Sequence, residues 1–151
     1  DNDERMIFFT KGVLETVKKL NWVPDIINCH GWFTSLFPLY MKTYYKNEPI
    51  FRKSKIVTSI YGNDMGETLN KKLKEKIKFD DINVDLDLIK KPDYNSLLSL
   101  ALDYSDGAIT YTDNLSSDLA NKLKKLDNPV LDFDNAKKEN GHTEFLKKYF
   151  L

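Results

Sequence analysis

The sequence predicts a three-layer α/β domain with a mainly parallel sheet, and two observations carry this prediction. Short apolar runs rich in β-branched residues alternate along the chain with segments whose apolar residues recur every three or four positions. A buried strand over 26–29 stops at His30 and Gly31, and a helical spacing begins directly afterwards. A second strand over 55–61 then completes a strand–helix–strand unit, whose two strands lie parallel.

The other elements follow in chain order. A helix opens the chain, with Asp1 and Glu4 predicted as its capping box and Asn21 as its end. Its buried stripe, at spacings of three and four, is predicted to be Met6, Phe9, Val13, Val17 and Leu20. The first strand, 26–29, and its helix follow, and a turn at Pro49 leads to the second strand.

Beyond the second strand, an apolar spacing of four predicts a helix over 65–77 with lysines on its solvated face. Alternating apolar and acidic residues over 80–91 suggest a strand, although Asp is a poor strand former. A helix follows Pro92, and a helix over 114–125 is capped by Thr112 or Asp113. A terminal helix occupies the second half of 135–151. The predicted central strands are 26–29, 56–60, 108–111 and 130–131.

Composition excludes several classes of partner. The chain has 23 basic and 23 acidic residues, so no net charge favours nucleic acid or an anionic membrane. Its apolar runs are too short to cross a bilayer, and its acidic start is unlike a signal peptide. A single cysteine agrees with a reducing compartment, so we expect a cytoplasmic protein. No metal is expected, because Asp132, Asp134 and His142 match no metal-ligand spacing.

His30 is the leading candidate for a functional residue because it follows the first predicted strand. Ligands of α/β sheets lie beyond the carboxyl ends of the strands and beside helix N-termini. The end of the second strand should lie next to it, which would bring Tyr61, Gly62 and Asn63 near His30. The alternative is a histidine that only bonds the backbone at a strand end. Cys29 should point to the opposite face and is expected to be a core residue.

A second kind of evidence is a set of sequence motifs in three segments of the chain, 1–9, 22–42 and 100–112. The central one contains, in order, Trp22, Pro24, Asp25, Ile26, Ile27, Cys29, His30, Trp32, Leu36, Pro38, Tyr40 and Lys42. In the same order, the three segments resemble parts of the bacterial glycogen synthases and plant starch synthases of glycosyltransferase family 5, the central one being the HxHDW region. Three ordered matches over about two thirds of the chain are much more specific than one short motif.

The resemblance implies a fold, a reaction and a site. The chain, 1–151, would be a single Rossmann-like domain, the C-terminal part of the N-terminal, acceptor-side half of a GT-B glycosyltransferase, with a connection of short helical turns at 80–91. The family transfers glucose from ADP-glucose to an α-1,4-glucan with retention, so these two substrates are the implied partners, and no cofactor is implied. His30 would be the sugar-facing catalytic residue. The implied substrate-binding residues are Gly31, Trp32, Tyr61, Asn63 and Thr112.

Departures from the family pattern limit what the chain is expected to do. Gly31 replaces an aspartate, and Tyr61 replaces a second active-site histidine. Asn28 replaces an earlier histidine, and we expect it to point away from the face that carries His30. The hydroxyl of Thr112 is retained from the family's T-V-S-P segment, a role compatible with a helix cap. The family's upstream strands and phosphate-binding loop would precede Asp1, and its donor-binding domain would follow; both are expected to be absent.

Three hypotheses follow for the activity of the chain. The first is a glycogen-synthase-like domain without turnover by itself, because charge stabilisation of the leaving diphosphate would be missing. The second is an active enzyme that is completed either by another chain, as in a homo-oligomer, or by a missing companion domain. The third is a degenerate relative that only binds glucan or scaffolds an assembly.

Overall fold

A computed structural model describes residues 1–62 and 65–151. Its strands are β1 (Ile26–His30), β2 (Lys55–Ile60), β3 (Gly107–Thr110) and β4 (Val130–Leu131). Its α-helices are α1 (Asn2–Lys19), α2 (Leu36–Lys42), α3 (Leu73–Lys78), α4 (Tyr94–Asp103), α5 (Ser117–Lys124), α6 (Phe133–Ala136) and α7 (Gly141–Phe150). Short 3-10 turns cover Trp32–Thr34, Pro49–Phe51 and Asp87–Ile89. The predicted α/β class is confirmed.

The strands form one sheet in the order β1-β2-β3-β4, and every neighbouring pair is parallel. The register sets His30 opposite Ser59 and Ile60 opposite Thr110. Because the strands share one direction, the residues that follow them meet at one edge of the sheet, here called the carboxyl edge. It consists of His30 at the end of β1 and the residues directly after β2, β3 and β4. The predicted parallel strand–helix–strand unit is confirmed.

Helices cover both faces of this sheet. On one face α1, α2 and α4 form a core over Ile56, and α4 and α5 extend it over Ile60. The opposite face carries Val57 and Ile109, and α7 covers it through Phe145. Neighbouring residues of a strand point to opposite faces, which is why β2 supplies side chains to both layers. The three-layer arrangement is therefore confirmed.

Helix α1 differs from its predicted form at its cap and its buried stripe. Within the described residues, the Asp1 side chain accepts no capping hydrogen bond, so the predicted capping box is wrong. Phe9 and Leu20 of the predicted stripe are exposed. The residues that are buried are Asp3, Met6, Thr10 and Leu14. The buried carboxylate of Asp3 is paired on this face, where the Lys76 ammonium lies 2.5 Å from it.

The segment between β2 and α4 is less regular than predicted. The helix expected over 65–77 is limited to α3, and 80–91 contains no strand in the described structure. The strand suggested by alternation is therefore wrong, and the implied connection with short helical turns is correct. Asp85 accepts a hydrogen bond from the backbone N–H of Asp87 at 2.8 Å. Such side-chain bonds occupy backbone donors that a strand ladder would need.

Helix α5 begins later than predicted because neither Thr112 nor Asp113 is its cap. Ser116 is the cap, and its hydroxyl oxygen accepts a hydrogen bond from the N–H of Leu119 at 3.2 Å. Thr112 instead accepts one from the N–H of Asn114 at 3.1 Å. Among the helices of the described residues, none is long and apolar enough to cross a bilayer.

Candidate functional site

The carboxyl edge brings together side chains that are far apart in the sequence. His30 is the last residue of β1, Tyr61 directly follows β2, and Tyr111 and Thr112 directly follow β3. The N–H of Tyr111 donates to the carbonyl of Ile60 at 2.8 Å, which ties the ends of β2 and β3 together. The parallel sheet thus places His30 beside Tyr61, as its topology predicts.

A hydrogen bond joins the two central side chains of this edge. Nδ1 of His30 lies 2.8 Å from the phenol oxygen of Tyr61, and the ring centroids are 5.9 Å apart. Burial raises the pKa of Tyr61, so it remains a neutral phenol that can donate to Nδ1. The exposed His30 ring makes no hydrogen bond through Nε2 within the described residues. That nitrogen is therefore available to a ligand.

The charge state of His30 favours hydrogen bonding to neutral groups. Partial desolvation, and secondarily the positive charge that nearby His142 can carry, lower the pKa of His30 below the ordinary histidine value. The ring is therefore neutral at physiological pH, and one nitrogen donates while the other accepts. A neutral imidazole beside a neutral phenol suits the hydroxyl groups of a sugar.

Tyr111 extends the site and was not singled out from the sequence. Its ring stacks on that of Tyr61, with centroids 4.9 Å apart and planes 8° from parallel. Burial, and secondarily Tyr61, raise the pKa of Tyr111, so both phenols are neutral. A sequence signal existed, because Tyr61 and Tyr111 each follow the end of one of two adjacent parallel strands. Tyr61 and Tyr111 therefore form a stacked aromatic pair at the ends of β2 and β3.

Gly31 and Trp32 turn the chain away from this edge. Gly31 has φ +71° and ψ 177°, a conformation that is essentially restricted to glycine, and its N–H donates to the carbonyl of Ser59 at 3.1 Å. Trp32 is partly buried against the core on the α1 and α2 side, with its ring 5.5 Å from that of Phe33. The structure thus places Gly31 next to His30, and it places Trp32 against the core that α1 and α2 form.

This conformation gives a prediction about stability. Gly31→Ala should lower the free energy of unfolding by about 1–3 kcal/mol, because a Cβ is strained at this φ and ψ. Gly12→Ala is the matched control, since Gly12 lies inside α1 and an added Cβ meets nothing within 4 Å. The control should raise the free energy of unfolding by about 0.5–1 kcal/mol. Urea denaturation measures both changes, and equal stability of the two variants would contradict the prediction.

Thr112 lies next to Gly62 at the far side of the site. A Cβ built on Gly62 would come within 2.9 Å of the Thr112 hydroxyl oxygen, so the two strand ends approach closely there. Thr112 is partly buried, and its hydroxyl oxygen already accepts from a backbone N–H. Asn63, predicted to bind substrate, lies outside the described residues.

Asn28 points to the same face as His30, so the expectation that it points away is wrong. Residues two apart on a strand share a face, and this alternation was misapplied to Asn28. Its amide contacts two groups on that face: Oδ1 accepts from the Ser59 hydroxyl at 2.7 Å, and Nδ2 lies 3.3 Å from Nε2 of His142. His142 belongs to α7 and was not predicted to lie near the site.

Two other chemistries have little support from the described residues. Cys29 is buried on the opposite face, where burial raises the pKa of its thiol to about 12, so it is not a ready nucleophile. Among the described residues no group of three or more His, Cys, Asp or Glu side chains could hold a metal ion.

The fold and the site together define a Rossmann-like α/β domain whose polar and aromatic side chains meet at the carboxyl ends of parallel strands. The sequence profile of the starch synthase catalytic domain matches residues 1–128, and the chain belongs to that family. The expectation from the sequence resemblance is confirmed. The match ends before β4 and α7, and so does not include His142.

Glycogen synthases are among the similar curated proteins. The one from Clostridium perfringens is 30% identical over 151 aligned residues, which cover 94% of this chain and 29% of the relative. The one from Chlorobium luteolum is 45% identical over 76 residues, 50% of this chain and 16% of the relative. The one from Thermodesulfovibrio yellowstonii is 46% identical over 61 residues, 40% of this chain and 12% of the relative. The matched part is less than a third of each relative's length.

Proposed function

We propose that the chain is the acceptor-side domain of a glycogen- or starch-synthase-type glucosyltransferase, and that its carboxyl edge contacts the glucosyl group and the end of an α-1,4-glucan. Within this proposal residues 1–151 are the C-terminal part of the N-terminal catalytic domain, ADP-glucose is the donor, and transfer occurs with retention. Family membership and the printed name of the relatives, glycogen synthase, support the proposal.

The hydrogen bond between His30 and Tyr61 is the observation on which this proposal depends most. It fixes a neutral imidazole at the end of β1, and Nε2 of this exposed ring makes no hydrogen bond in the described part of the chain. In the proposed reaction His30 bonds a hydroxyl of the glucosyl group and orients it while the bond to the diphosphate breaks. Gly31, Trp32, Tyr61, Asn63 and Thr112 are proposed to shape the surrounding substrate site.

The chain by itself is proposed to give no turnover. Departure of a diphosphate needs positively charged groups that stabilise its developing charge. Within the described residues, the groups hydrogen-bonded to the side chains of His30 and Thr112 are a phenol and a backbone N–H, both uncharged. Such an edge binds hydroxyls, and a companion domain or another chain would supply the charge.

A degenerate glucan-binding or scaffolding protein is the second candidate. The backbone at Gly31 favours it, because φ +71° with ψ 177° disfavours any side chain at the place of the family's aspartate. Tyr61 also favours it, since a phenol stacked on Tyr111 stands where the family has an imidazole. Both candidates require glucan binding at the carboxyl edge, and they differ in whether an added donor domain restores transfer.

Two assays of the same preparation test the proposal. The chain is incubated with labelled ADP-glucose and glycogen to measure incorporation, and its retention on immobilised glycogen is measured separately, with cellulose as the control polymer. Retention on glycogen without incorporation is the expected result. Incorporation would contradict the proposed lack of turnover. Failure to bind glycogen, maltoheptaose and ADP-glucose would contradict the proposed substrate site.

A further inference from the structure

Helix α7 brings a second imidazole to the face of the sheet that carries His30. Phe145 and Phe150 of this helix pack over Val57 and Ile109, and its first turn places His142 beside β1. Nε2 of His142 lies 3.3 Å from Nδ2 of Asn28, a contact between residues 114 positions apart. The family match ends at residue 128, so it gives His142 no role.

The contact is the end of a chain of hydrogen bonds that crosses three elements. The Ser59 hydroxyl of β2 donates to Oδ1 of Asn28 in β1 at 2.7 Å. An amide nitrogen can only donate, so Nε2 of His142 is the acceptor and is unprotonated in this arrangement. Asn28 precedes His30 by two residues on the same face, and Ser59 is paired with His30 in the strand register. The chain of bonds therefore adjoins His30 at two positions, Asn28 on the same strand and Ser59 on the neighbouring strand.

We propose that His142 is a positioning residue of the His30 site, which holds the Asn28 amide against Ser59. The proposal rests on the proposed function, because what it positions is the edge that binds sugar hydroxyls. His142 need not touch the sugar. It acts through Asn28.

The electrostatics of the face agree with this role. Desolvation first, and His142 second, lower the pKa of His30. Among the residues that the structure describes, the titratable groups that act on His30 are Tyr61, through a hydrogen bond, and His142 in α7, through its charge.

Substitution of His142 in the full chain tests separately its effect on the His30 ring and its hydrogen bond with the Asn28 amide. The chain has two histidines, so each His142 variant leaves only the His30 imidazole, whose NMR signal needs no further assignment. In His142→Ala and in His142→Gln, the His30 titration midpoint should rise toward the ordinary histidine value, because the second imidazole is gone. His142→Gln retains an oxygen that can accept from Asn28. Thr143→Ala, at an exposed neutral position of the same helix turn, is the control and should leave the midpoint unchanged.

Affinity for maltoheptaose, measured by calorimetry from pH 5 to pH 8, is the second readout. His142→Ala should weaken binding by roughly 3- to 10-fold, as expected for one lost hydrogen bond, while His142→Gln should stay within about twofold. An unchanged His30 midpoint in both variants would overturn the proposal, and so would unchanged affinity in His142→Ala. A shifted midpoint in a chain that binds neither maltoheptaose nor ADP-glucose would instead overturn the proposed function.

Discussion

Replacing His30 by alanine is expected to lower the affinity of the chain for maltoheptaose by about tenfold or more. The substitution removes the ring whose Nδ1 is 2.8 Å from the Tyr61 phenol, and leaves that phenol and a sugar hydroxyl without their partner. A lost hydrogen bond with unsatisfied groups costs roughly 1–3 kcal/mol, and 1.4 kcal/mol is a tenfold change in affinity. Calorimetric titration measures the change.

Two further variants make this result specific. His30→Gln keeps a polar side chain without the ring and should bind with intermediate affinity. Phe79→Ala removes an aromatic ring that is 91% exposed and distant in sequence from the carboxyl edge, so it should bind like the unaltered chain. A loss of affinity in Phe79→Ala with none in His30→Ala would show that glucan is held by exposed aromatic side chains elsewhere, contrary to the proposed site.

Phe145→Ala is expected to produce the largest loss of stability, about 3–5 kcal/mol in the free energy of unfolding. Phe145 is 5% exposed and packs with Val57, Ile109 and Leu131 on the face that α7 covers. Removal of a buried phenylalanine ring costs its transfer free energy and leaves a cavity. Because domains are stable by only about 5–15 kcal/mol, this loss is a large part of the total.

The matched control again uses Phe79, whose removal should change stability by about 0.5 kcal/mol or less because its ring is exposed. Urea denaturation of both variants measures the difference. If Phe145→Ala and Phe79→Ala were equally stable, α7 would not be docked on the sheet as described. His142 would then lack its position beside Asn28.

The strands were predictable because their signals are local. Each is a short, β-branched run that ends near a Gly, Pro or polar cluster, and the predicted bounds lie within one or two residues of those observed. The parallel topology followed from the spacing of strand, helix and strand, and it sufficed to place Tyr61 beside His30. The half of the site built from adjacent strand ends was therefore accessible from the sequence.

The failed predictions involve interactions between distant segments or local polar bonds. The buried face of α1 includes Asp3, which pairs with Lys76, 73 residues away, and helical periodicity does not reveal such a contact. At 80–91, acidic side chains form hydrogen bonds with nearby backbone and lysine groups. The alternation of apolar and acidic residues there therefore does not correspond to a strand. In both places polar contacts decided the structure and the apolar pattern did not.

The second half of the site depends on the packing of α7. The contact of His142 with Asn28 requires a helix near the end of the chain to cross the sheet, and its amphipathic pattern does not say which face it covers. The position of Tyr111 depends on the register of β2 and β3. With Ile60 opposite Thr110, the next residues, Tyr61 and Tyr111, lie on one face of the sheet.

NMR titration of the unaltered chain with maltoheptaose, observed at the ring signals of His30 and Tyr61, tests the central claim most directly. The account predicts saturable shifts of both signals at one common affinity, since the two rings share one hydrogen bond. Saturable binding that leaves both ring signals unmoved would contradict a sugar site at the carboxyl edge.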